Sequence, residues 1–356
     1  MRTIRIRRPD DFHIHLRDGN NMVSLARVDT IYKRFLVMPN IMPDPVTTVE
    51  KAIAYKKRIE SSLSPNSDLQ LLMTLYLTDR TTPEEIVKAR ESGIVYACKY
   101  YPAGATTNSD KGVTNIHNVY PVLVRILESC NTQRKMAELH MPLCIHSEST
   151  DPSIDIFDRE ATFVESTLKP LHADLPDLKI VMEHITTKQG VDFVLNGGPN
   201  VGGTITPQHL LYNRNSLLVG GLKPHFYCLP ILKREEHRQA LLAAVRSGCK
   251  RLFLGTDSAP HVRENKECKK GCAGCFSEFV SLELYAEVFD ALGCLDKLEA
   301  FASENGADFY GLPRNEGFVE LKEGEWSVPE SYTFGDSVVI PLRAGETLKW
   351  KAERCE

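Results

Sequence analysis

Eight short apolar segments alternate with helix-like stretches along most of the chain, and this alternation constrains the fold more than any other feature. The segments run Phe12–Leu16, Arg34–Met38, Leu69–Leu77, Tyr96–Tyr100, Leu143–His146, Ile180–His184, Val201–Thr206 and Leu252–Gly255. Between them lie amphipathic stretches at 48–61, 83–92, 116–129, 157–168, 188–195 and 231–245. Thr82-Pro83-Glu84-Glu85 is a helix start with a hydroxyl cap, a first-turn proline and early acids. Strand then helix, repeated without long linkers, predicts an α/β fold with a parallel sheet. Eight such units fit a (β/α)8 TIM-type barrel, with a doubly wound open sheet as the structural alternative. After Tyr310-Gly-Leu-Pro the pattern changes to short extended pieces at 318–321, 337–342 and 348–351. The expected organisation is a barrel over residues 1–310 and a C-terminal extension over 311–356 packed on it. At the start, Ile4 and Ile6 alternate with Arg5 and Arg7. The stretch is basic and acid-free like a transit peptide, but reads better as a half-exposed strand.

Composition narrows the function. Lys plus Arg is 43 and Asp plus Glu is 47, a formal net charge of -4 with no basic excess in either half, which argues against a nucleic-acid partner. No apolar run reaches the roughly 18 residues that would span a bilayer. The 10 cysteines show no pairing pattern and several, such as Cys98 and Cys144, sit inside apolar runs. Reduced thiols and a cytoplasmic location are expected.

The chemistry concentrates at the ends of the apolar segments. His13 and His15 flank Ile14, so both imidazoles fall on one face of a strand, and imidazole is the commonest metal ligand. His146, His184 and Asp257 follow three further segments, where a barrel places its reactive groups. Lys99 lies inside an apolar segment, an expensive place for an ammonium. Either it reaches up to the barrel mouth, or it is a neutral amine that takes up carbon dioxide and becomes a metal-bridging carbamate.

Taken together, Phe12-His-Ile-His-Leu-Arg-Asp-Gly, Val37-Met-Pro-Asn, Lys99-Tyr-Tyr-Pro-Ala-Gly-Ala-Thr-Thr-Asn-Ser, His146-Ser-Glu, Asp155-Ile-Phe-Asp-Arg-Glu, Glu183-His-Ile-Thr-Thr, Ile205-Thr-Pro-Gln-His-Leu, Tyr227-Cys-Leu-Pro-Ile-Leu-Lys, Gly255-Thr-Asp-Ser-Ala-Pro-His and Gly271-Cys-Ala-Gly-Cys-Phe resemble the dihydroorotases of the compact type, within the amidohydrolase superfamily. The resemblance runs from Asp11 to Lys351. It departs from the family pattern at Ser147, where glycine is usual, and in a longer stretch from Cys130 to His140.

The resemblance implies a barrel of the metal-dependent amidohydrolase kind with two zinc ions per subunit. His13, His15, Asp257 and an N6-carboxylated Lys99 would hold one, and Lys99, His146 and His184 the other. Two metals roughly 3.5–4 Å apart can generate hydroxide at neutral pH and polarise a carbonyl. It implies that the bridging hydroxide attacks the ring amide of L-dihydroorotate, giving N-carbamoyl-L-aspartate, with Asp257 as general acid and base. Arg17, Asn40 and His261 are then expected at the substrate carboxylate, backbone atoms near Leu229 and Ala273 at the ring amide, and Thr106 and Thr107 on a mobile lid. A homodimer is expected.

Three alternatives compete. Cys268-x3-Cys272-x2-Cys275 has the spacing of radical enzymes that bind an iron–sulfur cluster, but it follows the eighth segment rather than the first. Another cyclic amidohydrolase, such as a hydantoinase, would not need Arg17, Asn40 and His261. A barrel that had lost catalysis would not need the intact ligand set.

Overall fold

The structure, a computed structural model, describes residues 2–26, 28–128 and 141–355. The first strand, β1 (Thr3–Arg7), stands apart from the central sheet. That sheet is eight parallel strands hydrogen-bonded in chain order: β2 (Asp10–Ile14), β3 (Arg34–Val37), β4 (Gln70–Tyr76), β5 (Val95–Tyr100), β6 (Leu143–Ile145), β7 (Ile180–Met182), β8 (Val201–Ile205) and β9 (Leu252–Leu254). Each coincides with one of the eight apolar segments to within two residues at either end. The outer strands meet at their carboxyl ends, where the Asp257 N–H donates to His13 O (2.9 Å) and the His15 N–H to Ser258 O (3.0 Å). These bonds draw the sheet into a nearly closed barrel, so the open-sheet alternative falls away.

The helices follow the amphipathic stretches with two corrections. The stretch expected to be helical from Ile231 begins its helix at Glu235 and ends at Ser247. Ile231 and Leu232 instead pack with Leu217, Cys228 and Cys275 in a loop cluster, so their apolar pattern reports burial and not helix. The helix expected from Phe157 starts at Arg159, because an Asp155 side chain accepts the Phe157 N–H in a turn (2.8 Å). Ser129 and the Cys130–His140 stretch lie outside the described residues.

Inside the barrel, Phe12, Leu36, Leu72, Ala97, Cys144, Val181 and Phe253 form one buried cluster, plugged from below by Phe309 and Tyr310. Phe12 stacks on Tyr310 with ring centroids 4.8 Å apart. Gly202 on β8 leaves room for this plug, since a Cβ there would come within 2.9 Å of the Phe309 ring. The strand residues facing outward pack against the helices in a second, larger core. With the amino-terminal end sealed by aromatic rings, the carboxyl ends are the open face.

The C-terminal residues add an antiparallel sheet of β1, β10 (Phe318–Ser327) and β13 (Thr347–Arg354), and a small hairpin of β11 (Tyr332–Phe334) and β12 (Ser337–Val339). The Ile4/Ile6 alternation thus serves a strand paired with β10, Ile4 opposite Leu321 and Ile6 opposite Val319. Along β13, Leu348 and Trp350 are buried while Lys349 and Lys351 are exposed, the period-2 pattern of a sheet with one covered face. The helix Ser281–Ala291 covers that face, and its Glu283 accepts the Ala352 N–H at 3.1 Å.

Glu283 is buried with its other carboxylate oxygen unpartnered among the described residues, and burial pushes its pKa up to about 7. The folded state therefore holds a proton that the unfolded chain releases at lower pH. Stability falls as pH rises from the ordinary carboxylate range through 7, by up to about 3 kcal/mol for this group. Glu283→Gln should match the wild-type melting temperature near pH 5 and exceed it by several degrees near pH 8. A difference that does not vary with pH would remove Glu283 as its source.

Candidate active site and metal centre

Strand alternation carries the candidate ligands inward. On β5, Ala97 belongs to the inner cluster and Cys98 to the outer core, which turns Lys99 inward again. On β6, Cys144 is inner and Ile145 outer, so His146 enters the site. Two departures from alternation add ligands. A register shift between Asp11 and Ile14 lets Phe12 face the barrel interior while Ile14 joins the outer core, with His13 and His15 both reaching Asp257. After β7 and β9, His184 (φ 41°) and Asp257 (φ 48°) adopt left-handed backbone. Arg17 (φ 63°) and Asn108 (φ 58°) do the same, so four of the five described non-glycine residues with positive φ belong to this site or its loop. Such strain costs about 1–3 kcal/mol each and gathers where geometry serves function.

The side chains converge on a small cavity of about 20 Å³, lined by His13, His15, Arg17, Asn40, Tyr101, Thr106, Thr107, His146, His184, Leu229, Asp257, Ala259, Ala273 and Gly274. One nitrogen each of His13 and His15 and a carboxylate oxygen of Asp257 lie within 4.8 Å of one another, a group that can hold a metal ion. Asp257 Oδ1 stands 3.1 Å from His15 Nε2 and 3.4 Å from His13 Nε2. The His184 ring lies between the others, with centroids 5.0 Å from His13 and 4.8 Å from His146. His13 Nε2, His184 Nδ1 and Lys99 Nζ are buried and, among the described residues, make no hydrogen bond. A cluster held only by its own hydrogen bonds would not leave three such atoms orphaned. The donor set suits a metal.

Charge in the site is set by burial first. Burial lowers the pKa of Lys99 and pulls His15 down to about 4 and His184 well below its usual value. His15 and His184 are therefore neutral bases with a lone pair available to a ligand, and burial shifts Lys99 in the same direction. Burial alone would raise Asp257, but the adjacent His13 and His15 imidazoles hold it well below the usual carboxylate range. Burial also opposes the Glu183 carboxylate, and the His13 and Lys99 charges outweigh it.

At the other end of the cavity, Arg17 Nε donates to Pro260 O (2.9 Å), and Arg17 Nη2 lies 3.0 Å from His261 Nε2. The same His261 nitrogen is 3.0 Å from Ala273 O. Burial and the Arg17 charge lower the His261 pKa to about 2, so the ring is neutral. The loop bearing Thr106 and Thr107 folds across this end. Thr107 Oγ1 donates to Ala273 O (3.3 Å), Asn40 Nδ2 to Thr107 O (3.1 Å) and Asn108 Nδ2 to Asn40 O (3.2 Å). The loop is thus tied to two residues, Asn40 and Ala273, that sequence reasoning placed at the substrate.

Several supporting residues carried no sequence signal beyond their place in a motif. Glu183 Oε2 lies 2.7 Å from His13 Nδ1 and accepts from Thr204 Oγ1 at 2.6 Å, fixing the ring so that Nε2 faces the cavity. Glu148 Oε2 does the same for His146 through Nε2 (2.8 Å). Asp11 holds the barrel seam, its carboxylate accepting from the His13 and Thr256 N–H groups and from Thr256 Oγ1. The nine described cysteines are unpaired. Among the described residues the metal-competent trio is His13, His15 and Asp257, and no such group includes Cys268, Cys272 and Cys275. No described helix is long and apolar enough to cross a membrane.

The barrel, its rim of imidazoles and the seam aspartate define the class, and comparison with known proteins agrees. The amidohydrolase family model matches residues 11–322, and the chain belongs to that family. A dihydroorotase from Hahella chejuensis is 56% identical over 354 residues, covering 99% of both chains. The crystal structure of a dihydroorotase from Saccharomyces cerevisiae in complex with 5-fluoroorotic acid superposes with a TM-score of 0.88 at 30% identity, covering 99% of each chain. That of the Campylobacter jejuni dihydroorotase gives 0.86 at 33%, over 99% of this chain and 97% of the other. Within the amidohydrolases, this chain is one of the dihydroorotases.

The Glu183 contact generates a test. Glu183→Gln should lower metal affinity roughly 10- to 100-fold while leaving the melting temperature of the metal-free protein near normal. Metal titration that cannot distinguish the variant from wild type would reduce Glu183 to a packing residue.

Proposed function

We propose that the chain interconverts N-carbamoyl-L-aspartate and L-dihydroorotate, the ring-closing step of de novo pyrimidine biosynthesis. The observation that carries this reading is the arrangement around Arg17. Among the described residues this partly buried guanidinium has no carboxylate partner, and it shares His261 Nε2 with Ala273 O. One ring nitrogen cannot accept from a guanidinium and donate to a carbonyl at once. A substrate carboxylate placed there accepts from Arg17 and His261 together, with Asn40 beside them.

His13, His15, Asp257, His146, His184 and Lys99, the last as a carbamate, would hold two metal ions, which when bound would supply Lewis acidity and lower the pKa of water. Lys99 is suited to carboxylation because burial favours its free amine. Asp257, kept anionic by the neighbouring imidazoles, takes the proton of the attacking water and delivers it to the ring nitrogen as the C–N bond breaks. In the cyclising direction it takes the carbamoyl N–H proton and gives it to the departing water. Backbone atoms of Leu229 and Ala273 hold the ring amide, and Thr106 and Thr107 close over it to exclude water.

A cyclic amidohydrolase acting on an uncharged ring would leave Arg17 without its partner. A barrel without catalysis would gain nothing from keeping His13, His184 and Lys99 orphaned at the rim.

Purified, metal-counted protein should convert dihydroorotate to carbamoyl aspartate. Arg17→Met should lower kcat/KM for dihydroorotate roughly ten- to a hundredfold, as expected of a lost bidentate charged contact, and far less for an analogue without the carboxylate. Equal losses on both substrates would assign Arg17 a structural role and return the choice of substrate to the uncharged amides.

A further inference from the structure

We propose that Tyr101 touches the substrate, its phenol O–H donating a hydrogen bond to the oxygen of the amide carbonyl under attack. The inference rests on the dihydroorotase reading above and adds to it a residue that neither the sequence motifs nor the metal group called for.

Tyr101 lies two residues beyond Lys99, just past the end of β5, and lines the site cavity. Lys99 Nζ is 5.1 Å from the centroid of the Tyr101 ring, which places the phenol over the lysine toward the open face. The ring is fixed between neighbours, 5.3 Å from Tyr76 at an interplanar angle of 32° and 6.1 Å from His146. Tyr101 lines the same cavity as Arg17, Asn40, His146, His184 and Asp257, and it is close enough to both Arg17 and Asp257 to interact with them electrostatically. It is therefore within reach of both the proposed carboxylate anchor and the metal group, as the bond to be cleaved must be.

Its hydroxyl is the telling atom. The residue is 1% exposed, and among the described residues the hydroxyl has no hydrogen-bond partner. Other buried tyrosines of this fold use theirs. Tyr55 donates to Arg17 O, Tyr285 to Ile205 O and Tyr76 to Asn108 O, and Tyr32 is bonded to Ser281 Oγ. An unpaired buried hydroxyl costs stability that a phenylalanine of nearly the same shape would not. A fold that satisfies the phenols around it and leaves this one open is holding a donor ready for something that arrives later. Arg17, His261 and Asn40 already face the carboxylate end. The oxygen left without a side-chain donor is the one on the reacting carbon, where negative charge grows as water adds and where a fixed donor is most effective.

The test is Tyr101→Phe in metal-loaded protein, with kcat and KM measured in both directions, together with metal content and the melting temperature of the unliganded protein. The proposal expects kcat to fall at least roughly tenfold, toward the 10²-fold typical of one lost oxyanion donor, with KM within about threefold. Metal content should not change, and the unliganded melting temperature should equal or exceed wild type, because the variant removes an unsatisfied group. Turnover within twofold of wild type would overturn the assignment. A loss of activity that tracks lost metal or a lowered melting temperature would overturn it too, since the hydroxyl would then support the fold or the metal. A fully metallated wild type that leaves dihydroorotate untouched would instead sink the functional reading beneath it, so the two failures are distinguishable.

Discussion

A lysine with no exposed surface, whose amine meets no hydrogen-bond acceptor among the described residues, is the constraint on which the rest of this site depends. Burying an ammonium without a partner costs several kcal/mol even after relaxation, so the group must shed its proton, gain a partner, or be placed for a purpose that offsets the cost. The surroundings of Lys99 point to the last two. Glu183 lies close enough to act on it electrostatically, but its Oε2 serves His13 and Thr204, and its Oε1, like the amine, has no hydrogen-bond partner among the described residues. Among the described residues, the imidazoles of His13 and His184 each keep a buried nitrogen without a hydrogen bond. A carbamate formed on the amine would turn a basic group without an acceptor into two acceptor oxygens among unsatisfied ligands.

The scaffold brings these groups together through departures from regular structure. Eight parallel strands alone would deliver one inward side chain at every second residue. The register shift in β2 and the left-handed residues after β7 and β9 deliver His13, His184 and Asp257 as extra inward groups, at the cost of local strain. The seam between β2 and β9 offsets part of that cost. Asp257 and His15 make the backbone bonds that close the barrel, and Asp11 ties Thr256 to the His13 amide. Metal geometry and barrel closure are therefore one structure, and a change that opens the seam would also spread the ligands.

Much of this was legible in the sequence, because apolar runs of four to eight residues ending in His, Lys or Asp carry both the strand and its inward terminus. Leu143-Cys-Ile-His and Ile180-Val-Met-Glu-His show the rule directly. What stayed hidden depended on direction and pairing. Nothing in the residue types says that Glu183 would grip His13 across the barrel, or that Ile231 and Leu232 would fill a loop cluster instead of a helix face. The ties between the Thr107 loop, Asn40 and Ala273 join segments far apart in the chain, and only the fold shows them. Tyr101 was quoted within a motif but its hydroxyl could not be singled out, since an orphaned atom is a property of surroundings and not of sequence.

The central claim is that carbon dioxide completes Lys99. Metal-loaded protein equilibrated with 13C-labelled bicarbonate and examined by 13C NMR reads this directly. The account predicts one protein-bound carbamate signal per chain, absent from Lys99→Ala and lost when the metals are removed. A fully metallated, active protein that binds no label would contradict it, and the buried amine would then need another explanation.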